Sequence, residues 1–331
     1  MMESQSVCEY PLPVVDFSTE NMKPGTDTWL AACQMVRRGF EDHGCFLANF
    51  DKVTPKLLNS LFSAMEQLFG LPVETKRRKT SEKPNHGYTG QVPTSPLFES
   101  FAIENPSNIQ DCQKFSRVMW PTGNDQLCES VNEYAKLLQE LDQTVKRMVF
   151  DSYGLDKVKC ETFLESTDYS FRSYKYKIPA MDESNVGVNS HTDSTFITIL
   201  HQRVDGLEVK LKDGEWFGID ASPLFCVMAG DAFMVWSSER IRGCEHRVIL
   251  KSKVTRYSLG LLSYSTKMVQ TLEDLVDEEH PIRYKPFDHY SYVGFRFTEE
   301  ALKYTSRIKA YCGVVFEVII IVPSGCVDLL W

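Results

Sequence analysis

Although the 331-residue sequence holds ten cysteines, it has no CxxC pair. The cysteines are scattered without regular spacing, which argues against a disulfide framework. The first ten residues lack the apolar stretch of a secretory leader. These absences predict reduced thiols in the cytoplasm, most of them acting as small buried hydrophobes. No segment approaches the roughly 18 apolar residues that span a bilayer, and the strongest apolar run is only Val318 to Val322. Positive charge is not in excess either. A net charge of −9 argues against nucleic acid or an anionic membrane as partner. The one basic run, Lys76-Arg77-Arg78-Lys79, is short and reads as a solvated surface turn. Only seven histidines occur.

The material that is present, 43% hydrophobic and 24% charged, is that of a globule with ample core. No internal repeat or low-complexity linker divides it. Apolar residues at three- and four-residue spacing predict helices over 27–43, 55–69 and about 126–153. Thr54-Pro55 would begin the second of these, and Gly154 would end the third. After residue 165 the pattern changes to short β-rich runs: Ser170–Tyr176, Thr195–Leu200, Leu207–Leu211, Phe225–Met228, Ala232–Trp236, His246–Leu250 and Tyr257–Tyr264. Turn residues separate them, so the core is expected to be a sandwich or double-sheet jelly roll. The expected fold is therefore mainly β with flanking helices. Residues 1–165 form a helical N-terminal region packed on a core of residues 166–314, and 315–331 form an atypical tail.

Two histidines stand in informative company. In Asn189-Ser190-His191-Thr192-Asp193, the imidazole and the carboxylate are two residues apart, which on an extended strand puts both on one face. His246, in the β-rich run Glu245-His246-Arg247-Val248, offers a third ligand. Two imidazoles and one carboxylate make the facial triad of non-haem iron(II) oxygenases, with open positions for other ligands. The other five histidines, His43, His86, His201, His280 and His289, gain no support from their neighbours and are expected at the surface or as caps. Ten residues after His246 come Arg256 and Ser258, again with period-two spacing. A guanidinium and a hydroxyl on one strand face can clamp one end of a dicarboxylate. A surface salt bridge is the alternative for Arg256 taken alone.

At these residues the sequence resembles the plant 2-oxoglutarate- and iron(II)-dependent dioxygenase superfamily. The match runs from Leu12-Pro13-Val14-Val15-Asp16-Phe17 to Lys309-Ala310-Tyr311-Cys312-Gly313-Val314, and its most specific part is HTDSTFITIL, DGLEVKLKDGEW, EHRV and RYS. Within the superfamily, HGYTGQVP, PLFES, YKYK, LVDEEHP and KPFDH resemble the branch containing glucosinolate side-chain dioxygenases and steroidal-alkaloid hydroxylases. The resemblance implies a double-stranded β-helix, a jelly roll holding iron near one open end. It implies His191, Asp193 and His246 as iron(II) ligands, and Arg256, Ser258 and Tyr176 as contacts to the 2-oxoglutarate co-substrate. Dioxygen would be the second co-substrate and ascorbate a supporting reductant. Many relatives have asparagine where Tyr174 stands, which puts part of the co-substrate contact from this strand in doubt.

The implied reaction is hydroxylation or desaturation of a small plant metabolite, with release of succinate and carbon dioxide. Because Asp193 keeps the carboxylate arm, halogenation is not expected. Leu262 occupies a position where flavonoid-oxidising relatives have phenylalanine, which favours an aliphatic or terpenoid-like substrate surface. Phe98, Arg172, Phe196 and Tyr264 join Leu262 as substrate-pocket candidates, although each has an ordinary core or surface reading beside it. The expected partner is a small molecule (an alkaloid, terpenoid, steroid or glucosinolate), and the expected state is a cytoplasmic monomer. Two alternatives stay open: an oxidase of the same fold that needs no 2-oxoglutarate, and a catalytically silent binding protein. The tail from Val315 to Trp331 extends beyond the usual ending; it is an added strand or an alternative coding end, with no function assigned.

Overall fold

The computed structural model describes residues 11–18, 22–92, 95–181 and 183–314. Helices α1 (Asp27–His43), α2 (Pro55–Phe69), α3 (Val73–Lys76), α4 (Ile109–Met119), α5 (Asp125–Ser152) and α6 (Lys157–Glu165) precede the core. Helices α7 (Asp231–Trp236), α8 (His289–Phe295) and α9 (Arg307–Cys312) follow within and after it. The strands are β1 (Val14–Asp16), β2 (Cys45–Asn49), β3 (Tyr88–Val92), β4 (Ser95–Glu104), β5 (Thr167–Tyr176), β6 (Val186–His191), β7 (Ile197–Gln202), β8 (Leu207–Lys210), β9 (Trp216–Gly218), β10 (Phe225–Ala229), β11 (His246–Ile249) and β12 (Arg256–Ser265).

The strands form two sheets, one ordered β1-β2-β10-β7-β12-β5-β4-β3 and a smaller one ordered β6-β11-β8-β9. This is the jelly-roll architecture, and the helices back its larger sheet. Alternation along β12 shows how the two faces divide. Leu259 and Leu261 join the helix-packed core, whereas Arg256, Leu262 and Tyr264 line a cavity facing the smaller sheet. The N-terminal region is helical as expected, but it also supplies β1 to β4, half of the larger sheet. Of these, β2 and β4 are buried almost throughout, so no period of two marks them.

The helices follow the sequence pattern closely. Leu57, Leu61, Phe62, Met65, Leu68 and Phe69 form the buried stripe of α2. Its N-cap Thr54 accepts a hydrogen bond from the Leu57 amide at 3.2 Å, and Pro55 follows at the first helical position. Thr54→Ala should lower unfolding stability by about 1 kcal/mol while Thr54→Ser stays near wild type. Urea melts of the two variants test this; an unshifted midpoint for the alanine variant would show that the cap contributes nothing.

Two expectations are corrected. Ala232–Trp236 is not a strand but lies within helix α7, where Phe233 and Trp236 turn onto Phe163. A short, wholly apolar run has no periodicity to separate strand from helix, and Asp231 and Gly230 begin the turn here. The basic run is also only partly solvated. Lys76 is 3% exposed and pairs with the buried carboxylate of Glu99. Elsewhere, the eight described cysteines are free and buried. No helix among the described residues is long and apolar enough to cross a membrane. The 315–331 tail lies outside the described residues.

Candidate active site

His191 ends β6 and His246 begins β11, and the antiparallel register sets them directly opposite one another. Their ring centroids are 4.2 Å apart. His191 Nδ1 lies 2.9 Å from the Asn189 carbonyl, and His246 Nδ1 lies 3.1 Å from the Cys244 carbonyl. A carbonyl only accepts, so each Nδ1 carries the proton and each Nε2 keeps its lone pair for a ligand. Those Nε2 atoms are 3.6 and 3.9 Å from Asp193 Oδ1. The other oxygen, Oδ2, accepts from the Thr198 hydroxyl at 2.6 Å. Asp193 is not on the strand as expected; it sits just past the end of β6, and a turn brings its carboxylate back beside the imidazoles.

Burial, followed by the neighbouring His191, pushes His246 down to about 4, so its imidazole is neutral. Burial opposes the charge of Asp193, yet the two imidazoles and the Thr198 hydroxyl outweigh it and hold the carboxyl well below the usual range. Two imidazole nitrogens and one carboxylate oxygen converge with all ligand atoms within 4.8 Å, the one such group among the described residues. This donor set fits a divalent iron with open coordination positions.

A buried ionic latch holds the loop that carries Asp193. The Asp231 carboxylate accepts from Thr192 Oγ1 at 2.7 Å and from Tyr292, and pairs with Arg296 at 3.2 Å. Arg296 also donates to the Thr192 carbonyl, and the Asp231 amide donates to the Asp193 carbonyl at 2.7 Å. Gly230 permits this approach, because a Cβ there would lie 2.3 Å from the Thr195 carbonyl oxygen. From the other side, His289 accepts from the Ser265 amide at 2.9 Å and donates to the Ser194 carbonyl at 2.7 Å. His86, His201 and His289 are therefore not surface residues; all three are buried. Asp231 and Arg296 were not legible as site residues: the pair spans 65 positions, and neither lies in a periodic pattern.

One cavity joins the metal-ligating group to Arg256. Phe98, Arg172, Tyr176, Leu262 and Tyr264 line it together with His191, Asp193 and His246. Arg256 is 1% exposed. Its Nε donates to the Val204 carbonyl at 3.2 Å, Nη1 to Ser258 at 3.2 Å and Nη2 to Gln202 at 2.6 Å. The Tyr176 side chain hydrogen-bonds the same guanidinium, so these neighbours fix its orientation on the cavity wall. The Tyr176 ring lies 4.8 Å beneath it. Ser258 is buried beside Arg256 but does not itself line the cavity. Phe196, a candidate for the pocket, does not reach it: its ring packs on Phe163 and Phe233 in the helix-backed core. The neighbouring Thr195 and Thr198 take the cavity side instead.

A jelly roll that brings two imidazoles, a carboxylate and a buried guanidinium into one cavity defines the class of non-haem iron oxygenases. Residues 167–263 match the 2OG-Fe(II) oxygenase superfamily, and residues 12–122 match the non-haem dioxygenase in morphine synthesis N-terminal family. The probable 2-oxoglutarate-dependent dioxygenase AOP1 of Arabidopsis thaliana is 39% identical over 315 residues, covering 92% of this chain and 96% of that protein. The 2-oxoglutarate-dependent dioxygenase AOP3 of the same plant is 28% identical, covering 93% and 98%. Among solved structures, the Arabidopsis dioxygenase for auxin oxidation in its 2-oxoglutarate complex superposes with a TM-score of 0.73 at 27% identity, covering 82% of this chain and 99% of that one. The rice dioxygenase for auxin oxidation gives 0.73 at 29% identity, covering 86% and 94%.

The chain belongs to the 2OG-Fe(II) oxygenase superfamily. It is an enzyme, a 2-oxoglutarate-dependent dioxygenase of the plant type, and its cofactors are iron(II) and 2-oxoglutarate.

Proposed function

We propose that His191, Asp193 and His246 hold iron(II), and that Arg256 receives the far carboxylate of 2-oxoglutarate with Ser258 and Tyr176 as supports. The enzyme then hydroxylates or desaturates a small plant metabolite. When bound, iron and co-substrate supply the oxidising power: dioxygen is consumed, 2-oxoglutarate becomes succinate and carbon dioxide, and a C–H bond of the substrate is oxidised. The chain's own residues do the rest. Asn189 and Cys244 carbonyls fix the imidazole tautomers, Thr198 orients the carboxylate, and Gln202 and Val204 aim the guanidinium. Residues 166–314 form the catalytic unit in this reading, with the N-terminal region as its wrapping. The eight free, buried cysteines suit a reducing, cytoplasmic setting.

The observation that carries this reading is one cavity shared by the three converging ligand atoms and a buried guanidinium. For substrate class, apolar Phe98, Leu262 and Tyr264 favour an alkaloid, terpenoid or steroid-like body or a glucosinolate side chain. The auxin-oxidising relatives are themselves enzymes of small plant molecules. The test is substrate-free turnover of 2-oxoglutarate to succinate with iron(II) and ascorbate. Arg256→Ala should raise the 2-oxoglutarate KM about tenfold or more, the loss of a charge-assisted bidentate contact. An unchanged KM, or oxidation that proceeds without 2-oxoglutarate, would reject the assignment and favour an oxidase.

A further inference from the structure

We propose that the substrate end of the cavity receives an apolar molecule bearing a single oxyanion, a carboxylate or a sulfate, and that Arg172 is its counter-ion. This rests on the reading above, in which iron and 2-oxoglutarate occupy the triad and Arg256.

The sheet register separates two arginine positions on one face. On β5 and β12, Arg256 lies opposite Tyr176, and Arg172 lies opposite Gly260. Four residues along a strand is about 13 Å, farther than a five-carbon diacid held at Arg256 and the metal extends. Arg172 therefore serves a different ligand. It is 5% exposed and lines the cavity, and its Nε is sealed from solvent without a hydrogen-bond partner. Its cross-strand neighbours, Gly260 on β12 and Ala102 on β4, are the smallest available and leave the side chain uncrowded. The acid on the same strand, Asp168, is already engaged by Lys83 and Tyr290.

Charge decides the class. Four charged side chains line the cavity: Arg172, Asp193, Arg256 and Arg296. Arg296 is neutralised by Asp231. With iron and co-substrate bound, the divalent cation offsets the dianion, and Asp193 offsets Arg256. One cation is left over, and it is Arg172. A buried unpaired charge is costly, and one oxyanion on the substrate removes that cost. Leu262, Tyr264 and Phe297 surround the same end and set the apolar character of the rest.

The test uses the iron(II)- and 2-oxoglutarate-loaded protein under anaerobic conditions. Its probes are phenylalkanoates from phenylacetate to 5-phenylpentanoate, their primary amides, and the matching phenylalkyl sulfates. Binding is read from the perturbed visible charge-transfer band. At least one anion should bind about tenfold or more tightly than its amide, and the two anion arms identify which oxyanion the site takes. Arg172→Gln should reduce that preference to about twofold or less, and Arg172→Lys should keep part of it. Both variants should form the 2-oxoglutarate band as the wild type does. Amides that bind as tightly as the anions throughout, or an undiminished preference in Arg172→Gln, overturn the proposal. A wild type with no band overturns the assignment of the triad and Arg256 instead, which separates the two failures.

Discussion

A His246→Ala chain should fold but retain no stoichiometric iron, and its succinate formation should fall by more than about 100-fold. Removing only the outer partner of a metal-bound histidine commonly costs 10- to 100-fold, so loss of a whole ligand must cost more. The site has no spare donor to compensate. Among the described residues, His191, Asp193 and His246 are the one group whose ligand atoms converge. The direct measurement is iron per chain after desalting, taken beside a thermal melt to show that the fold persists. A folded His246→Ala protein that keeps one iron would remove His246 from the ligand set. Asp193→Gly should behave in the same way with respect to 2-oxoglutarate turnover.

Asp231→Ala should be the most destabilising substitution around the site, at about 3–5 kcal/mol. It leaves the 5%-exposed Arg296 without its carboxylate and strips Tyr292 and Thr192 of their acceptor. Breaking a buried pair from one side strands an uncompensated charge, which is where a cost of this size arises. Replacing both partners is the informative control. Asp231→Ala with Arg296→Met should recover much of the loss, because no charge is then stranded. Urea denaturation of the two singles and the double closes the cycle. The latch also grips the Thr192 carbonyl and hydroxyl, so Asp231→Ala should weaken iron binding as well. A single-mutant cost below about 1 kcal/mol would mean that the pair behaves as a solvated one.

The helices were legible because each carries an apolar stripe and a recognisable cap: Thr26 and Gly44 bound α1, and Thr54-Pro55 opens α2. The core strands were legible where turn residues isolated them. What escaped was structure without a local signature. The strands β2 and β4 are buried on both faces, and in β4 the buried Glu99 and Ser100 interrupt the apolar residues, so neither shows a period of two. Helix α7 hid in a run of five apolar residues. Strand β6 has no run of strand formers to mark where it begins, because Val186–His191 mixes small, polar and β-branched residues.

The site divides in the same way. Local spacing brought His191 with Asp193 and Arg256 with Ser258 into view, whereas Asp231, Arg296 and His289 act across long sequence separations. Phe196 shows the limit of composition alone. It stands beside cavity-lining Thr195, yet a single residue step turns its ring to the opposite side, against Phe163.

The central claim is that iron(II) and 2-oxoglutarate meet in the cavity between the triad and Arg256. The most direct measurement adds 2-oxoglutarate to anaerobic iron(II)-loaded protein and records the visible spectrum, with Arg256→Ala beside the wild type. The account predicts a metal-to-ligand charge-transfer band in the wild type that weakens in the variant at the same 2-oxoglutarate concentration. A folded, iron-loaded wild type that shows no band would contradict it.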